Sequence, residues 1–129
     1  MKEEKRMDIH AFWKAVLEQD AAALPAFFTE DAVIRWHCSG EQFTVAEYVR
    51  ANCEYPGRWA GEMERLVHTP QGLITAMRVY TRDGSASFHT ASFFTLRDGR
   101  IAALDEYWGD DGPAPGWRRE MGIGRPIQG

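Results

Sequence analysis

One carboxylate near the end of the chain is the best candidate for a chemically active group. Residues 100–108 alternate as a β-strand, and this alternation places Leu104, Glu106 and Trp108 on one face. A carboxyl group between apolar neighbours has a raised pKa and can transfer protons near neutral pH. Glu106 is therefore a candidate general acid or base in an apolar cavity.

The charged groups near this strand allow other interpretations. Glu106 could instead be solvated, or paired with Arg35 or Arg78. His37, at the end of another predicted strand, could pair with Glu106 or with a ligand and supply a group that titrates near neutral pH. The alternation of its own strand points His37 away from the neighbouring Trp36, which favours an exposed or interface histidine.

Several polar residues have both a functional and a plain structural interpretation. Tyr48 and Asn52 are four residues apart on one predicted helix face and can present a hydroxyl and an amide to a ligand, or pack in the core. Asp110 and Asp111 follow the last strand and fit either an acid or a simple turn. His89 lies on a strand without a partner visible in the sequence, which favours a sheet-face or interface position.

The sequence contains no recognisable metal, phosphate or nucleophile motif. The four histidines lack paired ligand spacing, and no glycine-rich phosphate loop or Gly-x-Ser-x-Gly elbow occurs. We therefore expect no metal and no cofactor. A net charge of −4 and the short run Trp117-Arg118-Arg119 predict neither nucleic acid nor a membrane as a partner.

The length and composition predict one domain over residues 1–129, with a core over about residues 5–110. Cys38 and Cys53 match no zinc or disulfide pattern, so we expect free, buried thiols in a reducing compartment. The charged residues 1–10 do not resemble a secretion signal, and no apolar run is long enough to span a membrane. These features predict a cytoplasmic protein.

Three helices and one strand are predicted before residue 55. An apolar stripe at helical spacing predicts a first helix over residues 4–18, and a shorter second helix follows over 22–29. Residues 32–38 alternate as a strand. A third helix begins after Thr44, where Glu47 completes a capping box.

The remainder is predicted to be an antiparallel meander with a Gly/Pro-rich tail. Four strands, separated by turn residues, are predicted over residues 59–69, 73–82, 86–97 and 100–108. Phe88 and Phe94 face one side of this sheet and Phe93 the other, so we expect helices on one face and a second subunit on the other. We expect residues 111–129 to dock at the cavity mouth or across a partner; the alternative is a disordered tail.

Three motifs carry a resemblance to a known family. They are AFFTEDAV (residues 26–33), FFTLRDGRI (93–101) and EYW (106–108). Over residues 5–110 the chain resembles the nuclear transport factor 2-like superfamily, in its SnoaL-like, polyketide cyclase-type branch. The resemblance implies an α+β fold: a cone-shaped, strongly curved antiparallel or mixed sheet packed on three N-terminal helices.

The resemblance also implies a pocket between the concave sheet face and the helices. Its walls would be Phe12, Trp36, Tyr48, Phe88, Thr90, Leu104, Glu106 and Trp108, with Asn52 orienting a ligand. In ketosteroid isomerases of this superfamily the catalytic groups correspond to Trp36, Phe12 and Ser92 here. None of these three residues retains the required side chain, so the sequence excludes that activity.

These expectations converge on a homodimer whose pocket binds a small, mostly apolar organic molecule. Cofactor-free isomerisation, dehydration, cyclisation or hydrolysis with Glu106 would be the chemistry of an enzyme of this type. The superfamily also includes binders without turnover and structural partner domains, so both stay open as alternatives.

Overall fold

Six strands form one curled sheet in the computed structural model of this protein, which describes residues 7–128. The strands are β1 (Phe28–Trp36), β2 (Glu41–Phe43), β3 (Trp59–Thr69), β4 (Gly72–Thr81), β5 (Ser87–Arg97) and β6 (Arg100–Asp110). Their order in space is β2-β1-β6-β5-β4-β3. The β1–β6 pair is parallel and every other neighbouring pair is antiparallel. This architecture confirms the predicted α+β class with a mixed, curved sheet.

The helices are α1 (Ile9–Leu17), α2 (Val45–Cys53), α3 (Gly116–Glu120) and a 3-10 helix over Leu24–Phe27. The predicted capping box of α2 is confirmed: Thr44 Oγ1 accepts the Glu47 N–H at 3.2 Å, and Glu47 Oε1 accepts the Thr44 N–H at 2.9 Å. These two bonds satisfy backbone donors that the first turn of a helix leaves free.

Two predicted helices are shorter than expected. The first helix was predicted to begin at residue 4, but residues 4–6 lie outside the described range. Within that range the prediction is wrong for residues 7 and 8, because Asp8 caps the helix by accepting the Ala11 N–H at 3.0 Å. The predicted helix over 22–29 is a single 3-10 turn. Phe28 is already extended and pairs with Ile101 of β6, so strand pairing prevails there over the local helical pattern.

The predicted meander is confirmed almost residue by residue. Asp98 and Gly99 both have positive φ (54° and 76°), as a tight two-residue hairpin loop requires. β6 runs to Asp110, two residues further than predicted, because its pairing with β5 continues to Phe88. The short strand β2 was not predicted; three residues carry too little periodicity to indicate a strand.

The core lies between α1 and the sheet, around the fully buried ring of Phe12. That ring makes edge contacts with four aromatic rings, at centroid distances of 5.4 to 5.9 Å. Gly61 of β3 permits the close approach of α1, since a Cβ there would lie 3.1 Å from Leu17 Cδ1 and 3.0 Å from the Arg78 carbonyl oxygen. The end of α1 is thereby held against one end of the sheet.

The chain after β6 lies on the surface of the single chain. Within it, Trp117, Met121 and Ile123 are 61%, 60% and 53% exposed. Docking of this segment onto a cavity or partner therefore stays a prediction. No helix among residues 7–128 combines the length and apolar character needed to cross a bilayer.

Candidate functional site

A cavity of about 380 Å³ lies between the end of α1, α2 and one face of the sheet. We call this face, which carries Glu106, the inner face, and the opposite one the outer face. The volume falls in the range of small-molecule sites. The lining residues are Val16, Leu17, Gln19, Trp36, Cys38, Ser39, Glu41, Ala51, Asn52, Tyr55, Trp59, Val79, Phe88, Trp108 and Asp110. We call this space the aromatic cavity.

Aromatic side chains form a continuous wall along the sheet side of the cavity. Tyr55 contacts Trp59 with ring centroids 5.4 Å apart, Trp59 contacts Phe88 at 5.8 Å, and Phe88 contacts Trp108 at 6.2 Å. β3, β5 and β6 each contribute one of these rings, so the curl of the sheet brings them together. A wall of this kind offers large apolar area together with electron-rich ring faces.

Strand register places Glu106 in the middle of a polar row on the inner face. Glu106 lies directly opposite Trp36 on β1 and Ser92 on β5, and Ser92 lies opposite Thr75 on β4. Trp36 Nε1 donates to Glu106 Oε1 at 3.1 Å, and Trp108 Nε1 donates to the same oxygen at 3.4 Å. The Ser92 hydroxyl donates to Oε2 at 2.6 Å.

Burial and hydrogen bonding act in opposite directions on the ionisation of Glu106, and burial is the larger effect. Glu106 is only 1% exposed, and burial raises the pKa of its carboxyl above the usual range. The donors Ser92, Trp108 and Trp36 act in the opposite direction because they stabilise the charged form. Burial, together with the charge of Glu106, also raises the pKa of the neighbouring Tyr48 well above its usual value.

The alternative ion pairs of Glu106 do not form. Arg35 contacts Asp105 at 3.4 Å, and Arg78 contacts Glu62 at 3.7 Å. Both arginines lie on the outer face, on the opposite side of the sheet from Glu106. The carboxyl group of Glu106 is therefore held by neutral donors.

Only part of the predicted pocket wall lines the cavity. Trp36, Asn52, Phe88 and Trp108 do so. The other predicted wall residues lie behind this layer in the core, and these are Phe12, Tyr48, Thr90, Leu104 and Glu106. Alternation identifies the face of a strand correctly, but it does not indicate which residues along that face are covered by helices.

Tyr48 mainly packs in the core, and Asn52 mainly forms a hydrogen bond between helices. The Tyr48 ring is 2% exposed and contacts Phe28 at 5.5 Å. Asn52 Nδ2 donates to the Val16 carbonyl at 3.1 Å, which ties α2 to α1. Asn52 nevertheless borders the cavity, so its amide is available beside a ligand.

The pairing of His37 with Glu106 is wrong. The ring of His37 lies on the outer face, where Nε2 is 2.7 Å from Asp105 Oδ1 and the ring stacks on Tyr107 at 4.5 Å. Only its backbone N–H reaches Glu106, donating to the carbonyl oxygen at 3.0 Å. The alternative of an exposed histidine describes this position.

A second histidine has partners that the sequence did not indicate. His89 Nδ1 contacts Asp111, and Nε2 lies 3.3 Å from Glu64 Oε1. The Ser87 hydroxyl donates to the other oxygen of Asp111 at 2.5 Å. These contacts fix the start of the tail to β5, and the bond to Asp111 raises the pKa of His89.

Sequence reasoning missed three residues that complete the cavity: Gln19, Tyr55 and Trp59. Gln19 has a positive φ of 54°, and its Nε2 donates to the carbonyls of Asn52 and Tyr55 at 2.8 and 2.5 Å. It thus holds the loop after α2 beside the end of α1. Trp59 begins a predicted strand, but a bulge between Met63 and Arg65 shifts its pairing with β4, so alternation counted from the turn would have placed Trp59 on the outer face.

The predicted buried state of both cysteines is wrong for Cys38, which is exposed in the turn after β1; Cys53 is half-buried. Neither forms a disulfide. Within residues 7–128, no three His, Cys, Asp or Glu side chains are grouped as metal ligands would be.

Comparison with known proteins assigns the family. The model of the SnoaL-like domain matches residues 9–104, and the chain belongs to this family. The predicted resemblance to the nuclear transport factor 2-like superfamily and its SnoaL-like branch is thereby confirmed. A comparison with curated proteins gave no match.

Solved structures with this fold include proteins of several described activities. A putative ketosteroid isomerase from Kribbella flavida is 22% identical, with a TM-score of 0.75 over 93% of this chain and 87% of that one. An NTF-2 like protein of unknown function from Burkholderia xenovorans is 23% identical (TM-score 0.72; 93% and 92% covered). An LEH-like epoxide hydrolase from M. tuberculosis is 17% identical (TM-score 0.63; 78% and 79% covered). At these identities the similarity shows the fold alone.

Proposed function

We propose that the protein binds a small, mostly apolar organic molecule in the aromatic cavity. The observation that carries this proposal is the continuous wall from Tyr55 to Trp108 around about 380 Å³ of space. Burial of an apolar molecule against such a wall is favourable by roughly 25 cal/mol per Å² of apolar surface. Asn52, Ser39 and Gln19 provide the few polar groups that orient a ligand in sites of this kind.

The same cavity counts against a purely structural role. A domain that only supports a partner has no need of open internal space, and its own Trp and Phe side chains would fill it. Here the indole N–H groups of Trp36 and Trp108 bond to Glu106, which fixes both rings in the cavity wall. This arrangement keeps the space available to a ligand.

Acid–base catalysis by Glu106 is the second candidate function. It is favoured by one observation, the raised pKa of this buried carboxyl. Its carboxyl lies behind Trp36 and Trp108, so proton transfer to a ligand would require a small displacement of one indole. Glu106→Gln keeps the size and the acceptor oxygen, so a folded variant with unchanged turnover would exclude this role.

The test of ligand binding compares two phenylalanines on β5. Phe88 lines the cavity, whereas Phe93 lies on the outer face and is 42% exposed. With the neutral fluorescent probe N-phenyl-1-naphthylamine, we expect saturable binding that Phe88→Ala weakens by about tenfold, since a ring contact and its buried area are lost. Phe93→Ala should retain the affinity. Equal loss in both variants, or no saturable binding, would contradict the proposal.

We also propose that a second copy of the chain covers the outer face. Phe93 and Tyr107 are 42% and 46% exposed there, and their rings meet at 5.9 Å. Such an aromatic patch is a common centre for an interface with twofold symmetry. Sedimentation should give a dimer, and Phe93→Glu should give a monomer because a buried charge would lack a partner. A monomeric wild-type protein at micromolar concentration would contradict this.

We propose a cytoplasmic location on the basis of the two cysteines. Both thiols are free, and Cys38 is exposed, which suits a reducing compartment. Mass spectrometry of protein isolated without reductant should find both thiols free; a disulfide that involves Cys38 would contradict this location.

A further inference from the structure

We propose that the ligand of the aromatic cavity is an organic cation, a small amine or quaternary ammonium compound with an apolar body. This inference rests on the proposed binding function and specifies the chemical class of the ligand. It is carried by three features of the lining: the ring faces, the charges, and the hydrogen-bonding groups that remain uncommitted.

Aromatic rings are the largest side chains of the lining. Tyr55, Trp59, Phe88 and Trp108 form one continuous wall, and Trp36 adds a third indole. The face of an aromatic ring carries partial negative charge and attracts an ammonium group within about 6 Å, with Trp the strongest partner. A site with three indoles can therefore hold a cation and its apolar body with the same side chains.

The charged residues of the lining are both acidic. Glu41 and Asp110 border the cavity and are exposed, so they lie at its rim. Among the described residues, no Lys, Arg or His lines the cavity. A carboxylate or phosphate ligand would find no opposite charge there and would meet two like charges, whereas a cation would be attracted.

Several hydrogen-bond donors of the lining are already bonded to protein acceptors. The indole N–H groups of Trp36 and Trp108 donate to Glu106. The side-chain amide N–H groups of Gln19 and Asn52 donate to backbone carbonyls. Because carbonyls can only accept, these bonds fix the amide orientations and leave the amide oxygens as acceptors. A site that offers acceptor oxygens and aromatic rings favours a ligand with a positively charged surface, such as an ammonium group.

Glu106 strengthens this preference from behind the wall. Its Oε1 accepts both indole N–H groups, and a bond to a carboxylate polarises each donor toward its ring. When Glu106 is ionised, its charge adds to that of Glu41 and Asp110 with no basic side chain bonded to it. The negative charge at the rim comes from Glu41 and Asp110, and Glu106 adds to it in its ionised form.

The test uses three probes of similar size and different charge, measured by titration calorimetry at low ionic strength. They are phenyltrimethylammonium, its neutral isostere tert-butylbenzene, and benzenesulfonate. We expect the cation to bind about tenfold more tightly than the isostere, from the cation–π attraction and the rim carboxylates, and the sulfonate not to bind saturably. Equal or tighter binding of the isostere would overturn the cation proposal and leave the binding function intact. Absence of binding by all three would contradict both.

Two double variants test whether the rim carboxylates cause the preference for a cation. Glu41→Gln with Asp110→Asn removes the rim charges and should lower the ratio of cation to isostere affinity by about threefold. The control, Glu30→Gln with Asp98→Asn, removes the same charge from exposed residues that do not line the cavity. Equal reductions in the two double variants would show a general charge effect and would overturn the assignment of the rim carboxylates.

Discussion

Asp105 and Glu106 are adjacent in the sequence, yet β6 places their carboxylates on opposite faces of the sheet in opposite electrostatic settings. Asp105, on the outer face, is 2.7 Å from His37 and 3.4 Å from Arg35. Glu106, on the inner face, accepts bonds from two indoles and a hydroxyl.

The outer face pairs its acids with bases at partly solvated positions. His89 joins Asp111 and Glu64, and Arg78 contacts Glu62. On the inner face the buried carboxyl of Glu106 receives only neutral donors. The difference teaches that, among the described residues, the acids of the outer face have basic partners whereas those beside the cavity, Glu41, Asp110 and Glu106, form no ion pair, and we expect their charge to act on a ligand.

The largest expected effect comes from truncating the inner carboxylate. Glu106→Ala leaves a void and up to three donors without an acceptor, so the free energy of unfolding should fall by about 3 kcal/mol. Asp105→Ala should cost about 1 kcal/mol or less, because its contacts are partly solvated. Urea unfolding of both variants measures this; an equal loss would remove the contrast between the faces.

The second effect is a dependence of the unfolding free energy on pH, which is caused by Glu106. Its pKa is raised by burial, so its contribution to stability is fully present below its unfolded pKa of about 4.3 and is lost as the pH rises through the folded pKa. The difference in unfolding free energy between wild type and Glu106→Gln should therefore vary with pH in this direction. A difference that is constant from acid to neutral pH would contradict the assigned environment.

On the outer face we expect a smaller dependence of stability on pH, in the same direction. The pKa of His89 is raised, first by its bond to Asp111. Its stabilising contribution is present below about pH 6.5 and is lost as the pH rises through the folded pKa. His89→Gln should abolish this component, which we expect to stay below about 1 kcal/mol because the side chain is half-exposed. His68→Gln, on exposed β3, is the control.

The smallest effect concerns the tail. Trp117 and Met121 are exposed in the single chain, and Asp111 anchors the segment next to Asp110 at the cavity rim. If the segment covers the rim, deletion of residues 112–129 should raise the ligand dissociation rate in stopped-flow measurements. An unchanged rate with an unchanged oligomeric state would show that the tail is not a lid.

The fold was predictable because its signals are local. The capping box at Thr44 and the Asp98-Gly99 loop each specify a backbone geometry by themselves, and short turns between β3 and β6 leave one antiparallel arrangement. The 3-10 turn before Phe28 was not predicted because a parallel pairing with β6, more than 70 residues away in sequence, determines it.

The candidate site was predictable only in part, for the same physical reason. Alternation placed Glu106 and Trp108 on the inner face, but which inner residues meet open space depends on where α1 and α2 end. Gln19 and Tyr55 lie in loops without periodicity, and the bond between them is long-range. For His37, the alternation of its own strand favoured the outer face, where it lies, over the alternative of a pairing with Glu106.

Native mass spectrometry of the protein, purified gently from its own cells, is the first test of ligand binding in the aromatic cavity. It reports any small molecule retained in the cavity and the number of subunits in one spectrum. We expect a protein that carries a defined organic mass, which is lost when Trp36→Ala or Phe88→Ala opens the aromatic wall. A protein that is empty, and that also fails to take up any member of a panel of apolar and cationic compounds, would contradict ligand binding in this cavity.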